Sequence, residues 1–98
     1  MAEEDRDTRL KRLRMRSWRR GTREMDLILG PFADEALGGL GPSELDAYEA
    51  LLDENDQDLY PWVTARLRGE DAGPARHAGI LARVAAHAAG RLPQIRGA

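Results

Sequence analysis

Residues 43–54, with the sequence SELDAYEALLDE, carry the strongest helix signal in this chain and decide its fold class. Ser43 followed three residues later by Asp46 predicts a capping box, in which the serine oxygen and the aspartate each accept an amide left unpaired at the helix start. The helix is predicted to end near Glu54. Apolar residues recur at i, i+3 and i+7 and form one hydrophobic face: Leu45, Tyr48 and Leu52.

Two short helices are predicted on the N-terminal side of this one. The first is capped by Asp7 or Thr8 and runs to about Arg20, where the next residue is a glycine that can stop it. The second covers residues 25–29 and ends near Pro31, because proline lacks the amide hydrogen that a helix needs. The buried face of the first helix is expected to consist of Leu10, Leu13 and Ser17.

A fourth helix is predicted after the acidic turn, with Asp56 or Asp58 as its cap and Gly69 as its end. Pro61 is compatible with this helix because the amides of a first turn have no partner within the helix. The residues expected to face inward are Leu59, Trp62 and Val63.

The last helix is predicted to start at Gly73-Pro74 and to close at Gly90 and Pro93. Its buried stripe is expected to be Leu81, Val84, Ala85 and Ala88. No stretch alternates with a period of two, so strands are not expected. Short helices with short loops predict an all-α, small five-helix bundle. We expect a single helical domain over residues 1–98, with a core of about residues 7–90 and flexible ends.

The composition argues against several classes of protein. The chain has no cysteine, which excludes disulfides, zinc–thiolate sites and thiol nucleophiles together. No apolar run approaches the ~20 residues of a membrane span, and the acidic start argues against a secretory signal. We therefore expect a cytoplasmic protein without a membrane span.

No catalytic or metal site is predicted. Residues 53–64 superficially resemble a calcium loop, but Asp58 stands where glycine is needed and Thr64 where glutamate is needed. His77 and His87 are ten positions apart, which is roughly 15 Å along a helix and too far to share a metal. No serine is placed for nucleophilic catalysis with a matching His and Asp. The chain is therefore not expected to be an enzyme.

Charge is strongly segregated along the chain, although the net charge is only −2. Residues 1–23 carry a net charge of +5, residues 24–71 carry −11, and residues 72–98 carry +4. The basic stretch 9–20 includes Trp18 and permits two interpretations. In the first it is a structural helix, which lies on the acidic segment of the same chain or simply exposes a solvated face. In the second it contacts nucleic acid through arginine–phosphate pairs and base stacking. The second interpretation makes the chain a small nucleic-acid-binding or antitoxin-like regulatory module.

Two blocks of sequence resemble a known family. Residues 19–26, RRGTREMD, look like the Arg-Gly-x-x-Glu signature of the succinate dehydrogenase assembly factor 2 family, the flavinylation factors called SdhE in bacteria. The Pro-Phe pair that follows in that family is here Pro31-Phe32. Residues 51–62, LLDENDQDLYPW, resemble the family's second block, an acidic turn followed by Asp-Leu-aromatic-x-Trp. The match covers about residues 9–67 in order.

The resemblance implies an assembly factor that binds the flavoprotein subunit of succinate dehydrogenase and, in some bacteria, that of fumarate reductase. Such a factor promotes the covalent bond between FAD and a histidine of that subunit, and it holds no cofactor stably itself. The bond needs no external nucleophile, because the flavin 8α-methyl group loses a proton and the subunit's histidine adds to the resulting quinone methide. The factor need only hold the subunit so that flavin and histidine are ordered.

The resemblance also implies the residues of the partner-binding surface. Arg20, Gly21 and Glu24 belong to the signature, and Arg19 and Asp26 lie beside it. An arginine can clamp a partner's carboxylate or carbonyl groups, a glycine permits close backbone approach, and a glutamate can pair with a partner's arginine.

A structural interpretation of the same residues stays open. Gly21 can be a helix C-cap, and Glu24 can be a first-turn acid favoured by the helix dipole. Arg20 and Glu24 can form an exposed i, i+4 pair. In the second block, we expect three residues to lie in the core and not at the interface: Leu59, Tyr60 and Trp62.

Overall fold

The computed structural model describes the backbone of residues 4–95 and the side chains of residues 4–91. Within that part of the chain there are five α-helices and no strand. The helices are α1 (Arg6–Ser17), α2 (Arg23–Ala36), α3 (Pro42–Leu52), α4 (Asp56–Leu67) and α5 (Ala78–Ile95), and short 3₁₀ turns cover Leu37–Gly39 and Ala75–His77. The predicted all-α five-helix fold is confirmed.

The first two helices are capped by side chains in their N-cap positions. Asp5 Oδ1 accepts a hydrogen bond from the amide of Thr8 at 2.7 Å, and Thr22 Oγ1 accepts one from Met25 at 3.3 Å. The prediction of Asp7 or Thr8 as the first cap was wrong by two or three residues. Asp5 takes this place because its carboxylate reaches the amide three positions further on.

The capping box predicted for α3 lies two residues earlier than expected. Gly41 is the N-cap, Pro42 is the first helical residue, and Ser43 lies inside the helix. Proline suits the first position because the amide it lacks has no helical partner there. Glu44 supplies the capping contact, since its Oε1 accepts from the Gly41 amide at 3.1 Å.

Helix α2 continues through Pro31 to Ala36, so the predicted end near Gly30-Pro31 was wrong. A proline in a helix interior costs about 3 kcal/mol. The two residues after it, Phe32 and Ala33, are fully buried, and the ring of Phe32 stacks on Tyr48 with centroids 5.3 Å apart. Burial of this turn offsets the lost hydrogen bond.

The boundaries of the last two helices also differ from prediction. Asn55, not Asp56 or Asp58, occupies the N-cap of α4, and Pro61 is its sixth residue, beyond the first turn. Gly69 does follow the end of α4, with a φ of +86°. Helix α5 runs past Gly90 to Ile95, because a glycine costs a helix only about 1 kcal/mol and does not by itself end it.

One hydrophobic cluster joins all five helices, and it contains nearly all the residues predicted to face inward. Ser17, predicted on the buried face of α1, is fully buried, and its Oγ lies 2.6 Å from the hydroxyl oxygen of Tyr48. Burial raises the pKa of Tyr48 to about 12. Helices α1 and α3 are therefore joined through a hydrogen bond inside the core.

Two further predictions concern the ends of the chain and the absence of a membrane span. The termini predicted to be flexible are about residues 1–6 and 91–98; residues 1–3 and 96–98 of them lie outside the described part, and the flexibility stays a prediction. None of the helices in residues 4–95 has the length and apolar character needed to cross a bilayer.

Candidate functional site

The signature lies where two loops of the bundle meet, and Arg20 joins them. Its Nε donates to Asp56 Oδ1 at 2.8 Å, while Nη1 and Nη2 donate to the carbonyl oxygens of Leu52 at 2.5 Å and Glu54 at 2.6 Å. The side chains of Arg20 and Asp56 are only 9% and 11% exposed. The guanidinium thus clamps carbonyls and a carboxylate of its own chain, at the turn between α3 and α4.

The backbone of the α1–α2 loop is held by further contacts. The amide of Arg20 donates to Asp26 Oδ1 at 2.7 Å, and Thr22 Oγ1 lies 3.3 Å from Asp56 Oδ2. Between them Gly21 has a φ of +108°, a conformation that side-chain-bearing residues rarely adopt. The predicted stop at Gly21 is therefore present as a left-handed residue, although α1 already ends at Ser17.

The structure divides the predicted site residues into two groups. Arg20 and Asp26 point into the loop junction and hold it together. Arg19, Gly21 and Glu24 are exposed at its surface. The alternative Arg20–Glu24 pair is not formed, because Arg20 pairs with Asp56. Glu24 lies in the first turn of α2 and makes no ion pair with any described residue.

An open groove of about 390 Å³ borders this surface. It is lined by Thr22, Glu24, Asp56, Gln57, Tyr60 and Pro61. The prediction that Tyr60 belongs to the core was wrong, since its side chain is 43% exposed. Leu59 and Val63 are fully buried, four positions apart, so their helix turns Tyr60 outward. That spacing could have placed Tyr60 on the surface from the sequence alone.

The second aromatic residue of this block takes an intermediate position. Trp62 is partly buried against the core, with its ring centroid 6.2 Å from that of His77. His77 is itself buried, and its Nε2 lies 2.8 Å from Glu54 Oε2. Hydrogen bonds from His77 and then Arg76 lower the pKa of Glu54. The α3–α4 turn is therefore held from the α5 side as well as by Arg20.

The basic helix α1 lies against the acidic α3, as one of the two interpretations of the charge pattern predicted. Glu49 receives hydrogen bonds from Arg12 and Arg9, and these lower its pKa. The ion pairs along this contact are Arg9–Asp46, Arg9–Glu49, Arg12–Glu49 and Arg16–Asp53. Arg12 also pairs with Glu4, which precedes α1. Four of the seven cations in the basic stretch, these three arginines and Arg20, thus form ion pairs within the chain, and the nucleic-acid interpretation is not supported.

Trp18 forms a contact that sequence reasoning missed. Its indole packs on α2 at Gly30, where a Cβ would lie 2.3 Å from Trp18 Cδ2. Its Nε1 donates to Asp34 Oδ2 at 3.2 Å. The side chain remains 40% exposed. The glycine at position 30 is the only local signal for this contact, and nothing in the sequence connects it to Trp18.

The described residues contain no group of three or more His, Asp or Glu side chains that could hold a metal ion. His77 and His87 bind different carboxylates, those of Glu54 and Glu35. The exposed surface around Gly21 presents the carboxylate of Glu24, a backbone without a side chain at Gly21 and the aromatic ring of Tyr60.

Comparison with known proteins gives one family and several relatives. A family model described as "Flavinator of succinate dehydrogenase" matches residues 11–88. A protein of Meyerozyma guilliermondii named "Succinate dehydrogenase assembly factor 2, mitochondrial" is 48% identical over 61 residues, which are 62% of this chain and 45% of that protein. A protein of Vibrio cholerae named "FAD assembly factor SdhE" is 42% identical over 57 residues, 58% of this chain and 66% of that protein. The chain thus spans less than half of the first relative.

Proposed function

This chain belongs to the family of flavinators of succinate dehydrogenase, and from that membership we propose that it binds the flavoprotein subunit of that enzyme and promotes covalent attachment of FAD. The family consists of assembly factors, not enzymes. The observation that carries the proposal is the exposed Gly21–Glu24 surface on a loop that Arg20 holds in place.

Covalent attachment of FAD requires that the flavin and the histidine of the subunit be held in place, and it does not require a further reactive group. The flavin 8α-methyl group gives up a proton, and a histidine nitrogen of the subunit adds to the resulting methide carbon and loses its own proton. The flavin ring keeps the electron pair and ends protonated and two-electron reduced, so the step itself needs no external oxidant. Holding two groups in a reactive geometry is worth several kcal/mol of barrier. We propose that this chain contributes that order by stabilising one conformation of the subunit, and that it binds no FAD stably itself.

The internal clamp of Arg20 supports this role, because it orders the contact surface before a partner arrives. Ordering a loop on binding costs affinity, and a loop already fixed by Arg20, Asp26 and Asp56 avoids that cost. Arg20 and Asp26 then act as positioning residues. Gly21, Glu24 and Arg19 are the residues that touch the partner.

The groove beside Gly21 suits a basic side chain of the partner. Glu24 offers a carboxylate that no described cation neutralises, and the exposed ring of Tyr60 lines the same groove. A guanidinium placed there would meet a carboxylate on one side and an aromatic face on the other. We propose an arginine of the flavoprotein subunit as the group bound between Glu24 and Tyr60.

Three further parts of the proposal concern clients and location. We propose fumarate reductase as a second client in cells that have this enzyme, because attachment of FAD to its flavoprotein subunit requires the same chemistry. We propose no nucleic-acid partner, since Arg9, Arg12 and Arg16 of the basic stretch already pair with acids of α3 or its C-cap. We propose a cytoplasmic location, which fractionation of cells carrying a tagged chain would test.

The experiment that tests the function is in-gel flavin fluorescence of the denatured flavoprotein subunit from cells lacking this protein. Only covalently bound flavin survives denaturation, so the fluorescent band should be lost without the protein and restored by the wild-type gene. The same gel scores the fumarate reductase subunit. Unchanged fluorescence in cells without any compensating factor would contradict the proposal.

A further inference from the structure

Helix α1 has two polar sides with different surroundings. The side facing α3 carries Arg9, Arg12 and Arg16, each paired with an acid. A second stripe, at i, i+3, i+4 and i+7, belongs neither to the side that pairs with α3 nor to the buried face of α1. It consists of Lys11, Arg14, Met15 and Trp18, which we name the cationic stripe.

The cationic stripe combines unpaired charge with exposed apolar surface. Lys11 and Arg14 make no ion pair with any residue that the structure describes, in contrast to the three arginines on the other side. Met15 is 54% exposed and Trp18 is 40% exposed, and only one other large hydrophobic side chain of the described residues is as exposed. Large apolar groups interleaved with cations are typical of a protein contact surface.

Trp18 is also held in one orientation. The absence of a side chain at Gly30 lets the indole lie directly on α2, and the hydrogen bond to Asp34 fixes its rotation. An aromatic side chain that is rigid before binding loses little entropy when it docks. Tryptophan is among the residues most enriched at the energetic centres of interfaces.

We propose that the cationic stripe is a second contact surface for the flavoprotein subunit, and that it docks on an acidic segment with an apolar recess for Trp18. This inference rests on the proposed function and extends it. The stripe ends three residues before Gly21, so it is continuous with the signature surface. A partner seated on Gly21 would therefore cover Trp18 as well.

The charges favour a protein over a polyphosphate or a lipid surface. The carboxylate of Asp34 lies at the edge of the Trp18 indole, and it would face the phosphates of any nucleic acid or anionic membrane placed there. A protein surface can offer Asp34 a hydrogen-bond donor while placing acids opposite Lys11 and Arg14.

The two surfaces together would also fix the orientation of the partner. The groove beside Gly21 presents the carboxylate of Glu24, which no described cation neutralises, whereas the cationic stripe, which ends three residues before Gly21, is basic. A partner with a basic group and an acidic segment in the matching order can bind in only one direction. Opposed charge patterns of this kind determine docking orientation and association rate.

The test measures binding of the purified flavoprotein subunit encoded by the same genome, as a function of salt. The double variant Lys11→Glu/Arg14→Glu should weaken binding by about tenfold or more at low salt and flatten the salt dependence. Met15→Ser should weaken it less, without changing the salt dependence. Arg68→Glu reverses the charge of a residue that directly follows α4 and whose side chain is 60% exposed. This variant should bind like the wild type.

The outcomes separate this inference from the proposed function. If the wild type binds and all variants match it at every salt concentration, the stripe is not an interface while the proposed function stands. If the wild type does not bind the subunit, both this inference and the proposed function are wrong. Binding of labelled RNA or of anionic phosphatidylglycerol vesicles that depends on Lys11 and Arg14, with subunit binding unchanged, would assign the stripe to another partner and overturn the inference. Circular dichroism checks that each variant is folded.

Discussion

Arg20 and Asp56 lie 36 positions apart in the sequence and form a nearly buried ion pair, with Nε 2.8 Å from Oδ1. Through it the α1–α2 loop, which carries the signature, is fixed to the start of α4. The same guanidinium also binds two carbonyl groups of the α3–α4 turn. The arginine of the signature is therefore an internal clamp, and the surface it prepares is formed by its neighbours.

Replacing this clamp should destabilise the fold strongly. Arg20→Ala leaves the Asp56 carboxylate buried and unpaired, which typically costs about 3–5 kcal/mol. Arg20→Lys should recover only part of this, because one ammonium group cannot reproduce a planar fork that contacts three acceptors. Urea unfolding measures both. The control is Arg68→Ala, whose ion pair is 60% exposed on each side and worth about 0–1 kcal/mol. Equal losses for Arg20→Ala and Arg68→Ala would contradict the clamp.

Stability should fall in acid because of the carboxylates on the α1–α3 contact. Hydrogen bonds from Arg12 and Arg9 hold the pKa of Glu49 below its ordinary value of 4.5. The unfolded chain therefore binds this proton more readily than the folded one. The contribution is complete above pH 4.5 and is lost as the pH falls through the folded pKa. Free energies of unfolding measured from pH 7 to pH 3 should show this loss, and Glu49→Gln should reduce it. An identical pH dependence in the variant would refute the assignment.

The contact between Trp18 and Gly30 predicts an unusual response to alanine. Gly30→Ala places a methyl group 2.3 Å from the indole, so the ring must leave α2, at a cost of about 1–3 kcal/mol. Acrylamide quenching of tryptophan fluorescence should rise as Trp18 becomes exposed. Gly90→Ala is the matched control, because that helical glycine has open space around it, and the change should stabilise α5 by about 0.5–1 kcal/mol. Unchanged stability and quenching in Gly30→Ala would show that the contact is absent.

The sequence predicted the buried faces well, because they depend on local periodicity alone. Leu45, Tyr48 and Leu52 share one side of a helix wherever that helix packs. The predicted end of α2 was wrong because a local rule about Pro31 was outweighed by the burial of Phe32 and Ala33, which only the tertiary structure determines.

The sequence indicated the residues of the candidate site, but it did not indicate which residues they contact. The signature pointed to Arg20, Gly21 and Glu24, and a stop at Gly21 followed from glycine's freedom at positive φ. That Arg20 binds Asp56 instead of Glu24 depends on how two distant loops meet. The core prediction for Tyr60 assumes that it shares an inward stripe with Leu59 and Trp62, whereas the spacing of the buried Leu59 and Val63 turns it to the surface.

The central claim is that the exposed surface from Gly21 to Glu24 contacts the flavoprotein subunit, and two matched glycines allow a direct test. Gly21 and Gly69 are both exposed with positive φ, +108° and +86°, so arginine at either should cost a similar amount, about 1–2 kcal/mol. Only the first lies in the signature. Glu24 and Glu70 form a second matched pair, of exposed acids. Glu24 lies in the proposed contact surface and Glu70 lies outside it, and each is replaced by alanine.

The decisive measurement is the rate at which purified flavoprotein subunit gains covalent flavin, followed by in-gel fluorescence, with each variant added in place of the wild type. We predict that Gly69→Arg and Glu70→Ala support the wild-type rate. Gly21→Arg and Glu24→Ala should lower it by about tenfold or more, the loss expected for a contact near the centre of an interface, while all four keep helical circular dichroism and melt cooperatively. Normal flavinylation by both signature variants, or a loss of activity that only follows their unfolding, would contradict the account.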